Sequence, residues 1–222
     1  MEIPLFPLPN LVLFPHVVVP LHIFEERYKL MVNGCIDRDE PFGIVLLRAG
    51  AETESEETIH RVGVTARIIQ VERLENGRLN ILCEGENRFK VRRFLQQEPY
   101  WRGSVDFFED DDNHPTVDSL YEEVAALYRK VVELGTSVNS GEESDTPLPE
   151  SPSDLSYMVS YVLDIDSEAK QKLLEMTSTA ERLRVLVHHL DETIQKLEQQ
   201  IAQRELMHKV RGNGDLGKPK DL

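Results

Sequence analysis

Residues 3–28 read IPLFPLPNLVLFPHVVVPLHIFEERY, and this stretch decides the fold of the first half of the chain. It is mostly apolar as far as Phe24, yet prolines stand at positions 4, 7, 9, 15 and 20. Because proline has no backbone N–H and its ring clashes with the preceding helical turn, a continuous helix is excluded. We predict short extended segments that wrap a core. The stretch lacks the basic start of a secretory signal, so we expect it to belong to the fold.

The composition describes an acidic chain with room for two domains. Its 222 residues include 25 Lys and Arg against 40 Asp and Glu, which gives a formal charge of -15. Domains commonly have roughly 100 to 150 residues. This charge would repel a polyanion, so nucleic acid and anionic membranes are not expected as partners. No apolar run approaches the roughly 20 residues that a membrane-spanning helix needs.

From Val62 onward, hydrophobic residues in the first part of the chain, residues 1–112, repeat with a period of two. The predicted elements are, in chain order, a helix at 24–36, a buried strand at 42–47, a solvated acidic loop at 51–58, strands from 62 onward joined by an Asn-Gly turn at 76–77, a second turn at 85–87, and strands at 88–92 and 101–108. About six short strands need their edges paired. We therefore predict a closed or nearly closed β barrel over residues 1–112.

A helical period replaces the period of two in residues 113–209, for which we predict a bundle of helices. The polar segment 136–153 has almost nothing to bury and is predicted to be a mobile loop. Asp154 and Ser167 are the predicted N-caps of the second and third helices.

The last helix is predicted to be the longest element. A Ser-Thr-Ala-Glu capping box at 178–181 begins it, and apolar residues from Leu183 to Ile201 repeat at steps of four and three. A helix of roughly 45 Å, at 1.5 Å per residue, exceeds what a small bundle covers. We therefore predict self-association through this helix, and a disordered tail at 210–222.

Two groups of residues are candidates for binding a partner. The densest aromatic cluster is Tyr100, Trp101, Phe107 and Phe108, in which alternation places Trp101 and Phe107 on one face of a strand. One of the two faces is a candidate contact surface, although burial of both is favoured. The basic residues Arg88, Lys90 and Arg92 share a strand face by the same alternation. These three residues are a candidate stripe for binding a polyanion. The favoured interpretation is a solvated strand face whose positive charges neutralise nearby glutamates.

No motif for catalysis, a cofactor or a metal ion is found. GNGDLGK at 212–218 has the spacing of a phosphate-binding loop but lacks its Ser/Thr, its preceding strand and its following helix. His188 and His189 are adjacent, so they point about 100° apart on a helix and lack a third ligand. Cys35 and Cys83 stand apart from any metal-binding pattern, which fits a reducing cytoplasm. No catalytic, cofactor-binding or metal-binding residue is predicted.

Three parts of the chain together resemble one protein family. They are PLFPL at 4–8 with VLFP at 12–15 and PLHIFEERY at 20–28, VGVTA at 62–66 with NGR at 76–78 and GENRF at 85–89, and KQKLLE at 170–175 with Arg182-Leu183. The similarity covers roughly residues 3 to 208. On these motifs the chain resembles the N-terminal domain of Lon-type ATP-dependent proteases.

The resemblance implies an α+β fold, with an N-terminal PUA-like β pseudo-barrel followed by a C-terminal α-helical bundle that ends in a long helix. In complete proteases of the family this region helps to select protein substrates and to stabilise the hexamer, whereas the ATPase and the serine-lysine peptidase lie downstream. It therefore implies a stand-alone, non-enzymatic module that binds unfolded or peptide segments of other proteins. The alternatives are an unrecognised hydrolase or accessory subunit of a proteolytic complex, and RNA binding through a PUA-like domain.

Six residues match the family pattern and are interpreted as architecture rather than as a site. They are Phe24, Glu25, Arg27, Tyr28, Arg88 and Phe89. The aromatic side chains are expected in the core, and Glu25 or a neighbour is expected to pair with a basic strand residue.

Overall fold

The computed structural model describes residues 1–51, 53–111, 116–139 and 147–212, leaving out the side chains at 138, 139, 205, 206 and 208–212. The six strands are β1 (Glu2–Pro9), β2 (Val18–Ile23), β3 (Phe42–Leu47), β4 (Ile59–Arg73), β5 (Leu79–Gln96) and β6 (Arg102–Phe107). The five helices are α1 (Glu26–Arg38), α2 (Val117–Asn139), α3 (Pro152–Val162), α4 (Ser167–Glu175) and α5 (Thr179–Gly212). The α+β class expected from the sequence is confirmed.

The six strands form one sheet that closes on itself. Their order is β2-β5-β4-β3-β1-β6, and β5 also pairs with β6, which completes a ring. β1 and β3 are parallel, and the other pairs are antiparallel. β2 pairs with β5 alone, so it lies at an edge outside the ring. The extended segments predicted for the proline-rich opening are thus β1 and β2.

The turn predicted at residues 85–87 is wrong, because β5 runs through it without a break. Gly85 instead receives a chain crossing: its N–H donates to the Val17 carbonyl at 2.9 Å, and its carbonyl accepts from His16 at 2.8 Å. A Cβ at this position would lie 2.2 Å from the Phe14 carbonyl oxygen. Only glycine allows so close an approach. By contrast, the Asn-Gly turn at 76–77 is confirmed, with φ of 60° and 69° at these residues.

Side chains that alternate along the strands contribute to two cores: Phe6 belongs to the larger core and Leu5 to the smaller one, for example. The larger one lies between the sheet and the helices. The smaller one is formed by side chains of β1, β3, β4, β5 and β6 together with Trp101; its buried members are Ile3, Leu5, Val45, Ile59, Phe89, Val91, Trp101 and Val105.

The helix ends differ from the predicted caps at two of three positions. The side chain of Ser151, not Asp154, caps α3 by accepting from the Asp154 N–H at 3.4 Å. Asp166, not Ser167, caps α4 by accepting from the Ala169 N–H at 2.8 Å. At α5 the prediction is confirmed, since Ser178 accepts from the Glu181 N–H at 3.3 Å.

The apolar seam of α5 packs within the chain. Leu183, Leu186 and Leu190 are fully buried and Ile194 is 5 % exposed. α2 is 23 residues long and packs along α5, with α3 beside them. Residues 140–146 of the predicted mobile loop and 213–222 of the predicted tail lie outside the described residues, as does most of the GNGDLGK motif. The prediction that the seam mediates self-association is untested, but α2 occupies much of it.

Candidate functional site

The acidic loop after β3 is held in place by one carboxylate. Glu54 accepts hydrogen bonds from Arg27 Nη1 at 3.0 Å and Nη2 at 2.7 Å, from Tyr28 Oη at 3.0 Å and from Trp101 Nε1 at 2.9 Å. Its side chain is only 17 % exposed. The fully solvated loop predicted for residues 51–58 is therefore wrong at this position, because the acid satisfies three partners that face the barrel.

Three further hydrogen bonds stiffen the same loop. The Ser55 N–H donates to Thr58 Oγ1 at 2.8 Å, and the Thr58 N–H donates to the Ser55 carbonyl at 3.1 Å. The Arg48 N–H donates to the Thr58 carbonyl at 2.8 Å, which ties the loop to the end of β3. The backbone between Glu54 and Thr58 is thus a short hydrogen-bonded turn.

This loop forms one wall of a groove on the barrel. The groove has a volume of about 560 Å³ and is lined by Ser55, Glu56, Glu57, Phe94, Leu95, Gln96, Gln97 and Trp101. The rings of Phe94 and Trp101 meet edge to face, with centroids 5.3 Å apart. Leu95 is 42 % exposed at the opposite wall. The groove therefore combines apolar side chains of β5 and Trp101 with an acidic rim.

Negative charge lies on the rim of the groove, and the nearest arginine lies outside the lining. Glu56 and Glu57 are exposed on the rim. Arg61 lies outside the lining, with its guanidinium 5.1 Å from the centroid of Phe94 and 4.0 Å from the Glu56 carboxylate. Below the rim, burial and then the charge of Glu54 raise the pKa of Tyr28, so its hydroxyl stays protonated and can donate to Glu54.

The structure brings one of the four predicted aromatic residues to this groove. Trp101 lines it, while Tyr100 and Phe108 pack against the larger core. Phe107 is 46 % exposed and pairs in register with Phe89 on β5. Trp101, Gly103 and Val105 are all buried, as the predicted alternation requires, whereas Phe107 continues the same parity but is exposed where β6 ends.

Sequence analysis missed the other groove residues. Phe94 and Leu95 are adjacent in β5, whose pairing with β6 is irregular between Phe94 and Gln96, and both line the groove. Two adjacent apolar residues near the end of a strand are the signal that could have indicated an exposed apolar side chain here. The role of Glu54 has no local signal, since its partners stand 26, 27 and 47 residues away.

The exposed stripe of three cations predicted on β5 is wrong at Arg88, which is buried. The side chain of Arg88 is 2 % exposed and pairs with Asp110. Lys90 is exposed, and Arg92 forms an ion pair with Asp106. Alternation itself holds, since Phe89 and Val91 between these residues face the smaller core, but the helical part of the chain covers Arg88, which donates to the Leu174 carbonyl. Polyanion binding through these residues is an untested prediction, with Arg88 no longer at the surface.

Arg88 belongs instead to a buried ionic cluster at the junction of barrel and helices. This junction cluster consists of Arg88 on β5, Asp110 after β6 and Arg182 on α5, with side chains 2 %, 3 % and 0 % exposed. Asp110 pairs with both guanidinium groups. It also accepts hydrogen bonds from Thr179 at 2.7 Å and Tyr157 at 3.3 Å.

Within the described residues the junction cluster holds two cations for one carboxylate. The C-terminal end of α4 offsets the second positive charge: Arg88 Nη1 donates to the Leu174 carbonyl at 3.0 Å, and Arg182 Nη1 donates to the Met176 carbonyl at 3.1 Å. Carbonyls at a helix C-terminus carry partial negative charge. Burial alone would raise the pKa of Asp110, but hydrogen bonding and charge from Arg182, together with Arg88, lower it overall.

The other residues that match the family pattern divide between core and surface. Tyr28 and Phe89 are buried as expected, at 3 % and 0 % exposure. Phe24 is 61 % exposed, so its predicted place in the core is wrong, and its ring stacks on His22. Glu25 pairs with Arg27 at 2.9 Å and not with a strand residue.

The described part of the chain holds no cluster of three or more His, Cys, Asp or Glu residues suited to a metal ion. His188 and His189 lie within 3.6 Å of Glu192 along α5, and His188 is exposed. Among the helices that the structure describes, none is long and apolar enough to cross a membrane.

Comparison with known proteins agrees with this architecture. Residues 2–192 match the family model described as the ATP-dependent protease La (LON) substrate-binding domain. The chain belongs to this family. It is 31 % identical over 201 residues to Lon protease 2 of Herpetosiphon aurantiacus, covering 89 % of this chain and 24 % of that protein. It is 30 % identical over 218 residues to Lon protease of Aquifex aeolicus, covering 94 % and 27 %.

This member of the LON substrate-binding domain family thus spans about a quarter of those relatives' length. Two solved structures share its fold. The N-terminal domain of Mycobacterium avium complex Lon protease matches with a TM-score of 0.68 and 19 % identity, over 86 % of this chain and 98 % of that one. A Lon N-terminal domain protein from Xanthomonas campestris matches with a TM-score of 0.63 and 22 % identity, over 85 % and 98 %.

Proposed function

We propose that this protein binds segments of other polypeptides, without chemical change to them, in the groove between the loop at 53–58 and the end of β5. The observation that carries the proposal is the exposed Leu95 beside Phe94 and Trp101 in a concavity of about 560 Å³. An apolar side chain that enters this groove would be removed from water on several sides. The family's description as a substrate-binding domain supports the proposal.

The finer fold and partner assignments are proposed with it. We assign residues 1–112 to a PUA-like pseudo-barrel and 113–209 to a helical bundle, and we place the protein in the cytoplasm because its two cysteines are free and buried. RNA binding through Arg88, Lys90 and Arg92 is the weaker alternative, since Arg88 is engaged with Asp110.

The chain's single tryptophan, Trp101, lies in the groove and serves as the reporter. Synthetic peptides tiled over an unfolded protein such as casein are titrated while the emission of Trp101 is followed. We expect saturable changes for apolar peptides. Leu95→Asp should weaken binding about tenfold, because it removes apolar contact area and places a charge where water is excluded.

A matched control is Ile69→Asp. Ile69 is likewise exposed, at 49 %, but it lies on β4 ten residues after Ile59 and does not line the groove. Its affinity for the peptides should stay within about twofold of the unmodified protein, since peripheral contacts contribute little to binding. Absence of any binding tighter than millimolar, or an equal loss for both variants, would refute the groove.

A further inference from the structure

We infer that the groove selects segments in which an apolar side chain stands next to lysine or arginine. This inference rests on the proposed function and adds the charge of the ligand to it. It follows from the rim, where Glu56 and Glu57 face the apolar wall formed by Phe94 and Leu95. A segment laid along the groove would bring residues flanking its apolar anchor against these two carboxylates.

The two rim carboxylates are held at fixed positions. Glu54 is committed to Arg27, Tyr28 and Trp101, and therefore anchors the loop from below. The turn closed between Ser55 and Thr58 contains Glu56 and Glu57 themselves. A charge carried by an ordered backbone loses less conformational entropy on pairing than one on a free loop. The two rim carboxylates are thus preorganised to bind a cation.

The cations near the groove offset only part of this charge. The described lining contains glutamates, glutamines and apolar residues but no lysine or arginine. Arg61 lies over the Phe94 ring and pairs with Glu56 at 4.0 Å, and Arg48 Nε donates to the Glu57 carbonyl at 3.0 Å, but within the described residues no ion pair is formed by the Glu57 carboxylate. The whole chain carries a formal charge of -15, so the long-range field also favours a cationic segment.

The test uses three peptides with the same central Leu-Phe-Leu and flanks of two lysines, two glutamines or two glutamates on each side. Their affinities are measured by the emission of Trp101 and, independently, by anisotropy of a labelled peptide. At low salt we expect the lysine peptide to bind about fivefold more tightly than the glutamine peptide, and the glutamate peptide to bind most weakly. The preference should fall below about twofold in 0.5 M salt, where charges are screened.

The variant Glu56→Gln with Glu57→Gln should remove most of the preference, leaving the part that the net charge supplies, and should leave the affinity for the glutamine peptide unchanged. Its matched control is Glu122→Gln with Glu123→Gln, two adjacent exposed glutamates on α2. That control removes the same formal charge from another surface and should keep the preference. Thermal unfolding of both variants confirms that each is folded.

The outcomes separate this inference from the proposed function. Equal binding of the three peptides, or tighter binding of the glutamate peptide, would overturn the charge selectivity while leaving polypeptide binding in place. Loss of the preference in the α2 control would assign it to net charge and overturn the role of the rim. Failure of all three peptides to bind would remove the proposed function itself.

Discussion

Replacing Asp110 by asparagine isolates the electrostatic role of the junction cluster. The substitution keeps the shape of the side chain but removes the charge that Arg88 and Arg182 share. An amide has an N–H₂ group where the carboxylate has a second acceptor, so one guanidinium faces a donor. Both guanidinium groups would then be buried without an anionic partner.

The structure sets the expected size of the effect. All three side chains are at most 3 % exposed, so water cannot replace the lost carboxylate. Removing one partner of a buried ion pair typically costs about 3–5 kcal/mol. Domains are typically stable by about 5–15 kcal/mol, so Asp110→Asn should remove a large part of the stability.

Arg88→Met provides an informative comparison. It leaves Asp110 paired with Arg182, a balanced pair, and leaves the Leu174 carbonyl without the guanidinium donor at 3.0 Å. One unsatisfied buried acceptor costs about 1–3 kcal/mol. We therefore expect Arg88→Met to be clearly less destabilising than Asp110→Asn, although it deletes more atoms.

Urea unfolding measures both variants, with Trp101 emission reporting the barrel and far-UV circular dichroism reporting the helices. The pKa of Asp110 is lowered in the folded protein, so its contribution should be present above about pH 4, the usual unfolded value, and decline as pH falls through the folded-state pKa. Asp110→Asn should therefore differ from the unmodified protein by a constant amount at neutral pH and by less in acid. A loss below about 1 kcal/mol at pH 7, or a larger loss for Arg88→Met, would refute the charge argument.

Two further predictions concern packing. Gly85→Ala should lower the melting temperature strongly, because its Cβ would lie 2.2 Å from the Phe14 carbonyl oxygen. Gly135→Ala on α2 has open space around the new Cβ and should raise the free energy of unfolding by about 1 kcal/mol. Calorimetry of the two variants tests this, and similar behaviour of both would contradict it. Burial raises the pKa of Cys35 to about 11 and of Cys83 to about 12, so both thiols should react with a disulfide reagent at pH 8 far more slowly in native than in urea-unfolded protein, and rapid native labelling would contradict their burial.

Local sequence patterns were reliable where the structure depends on neighbouring residues. The strand at 42–47, the Asn-Gly turn at 76–77 and the cap of α5 by Ser178 agree with the structure. Each depends on side-chain alternation, a positive φ or a contact three residues away. The two shifted caps are errors of the same local kind, since Ser151 and Asp166 stand one to three residues before the predicted positions.

The candidate site was only partly predictable. Trp101 was identified from composition, but its partner Glu54 lies 47 residues earlier in an acidic run that resembles any solvated loop. The pairing of Phe94 and Leu95 in one strand hinted at exposure, but not at which of the two faces water. The groove is therefore a product of loop placement.

The sequence by itself determined which parts of the chain have the strand-like repeat of two and which have the helical repeat, and it indicated the family. These properties depend on the order of apolar residues along short stretches. Only the tertiary structure decided that Arg88 is a buried partner of Asp110 and not part of an exposed stripe. Their 22-residue separation, and the 72 residues between Asp110 and Arg182, carry no periodic signal. The energetic contribution of a charged side chain depends on how far the fold excludes water from it and on which opposite charge the fold places beside it.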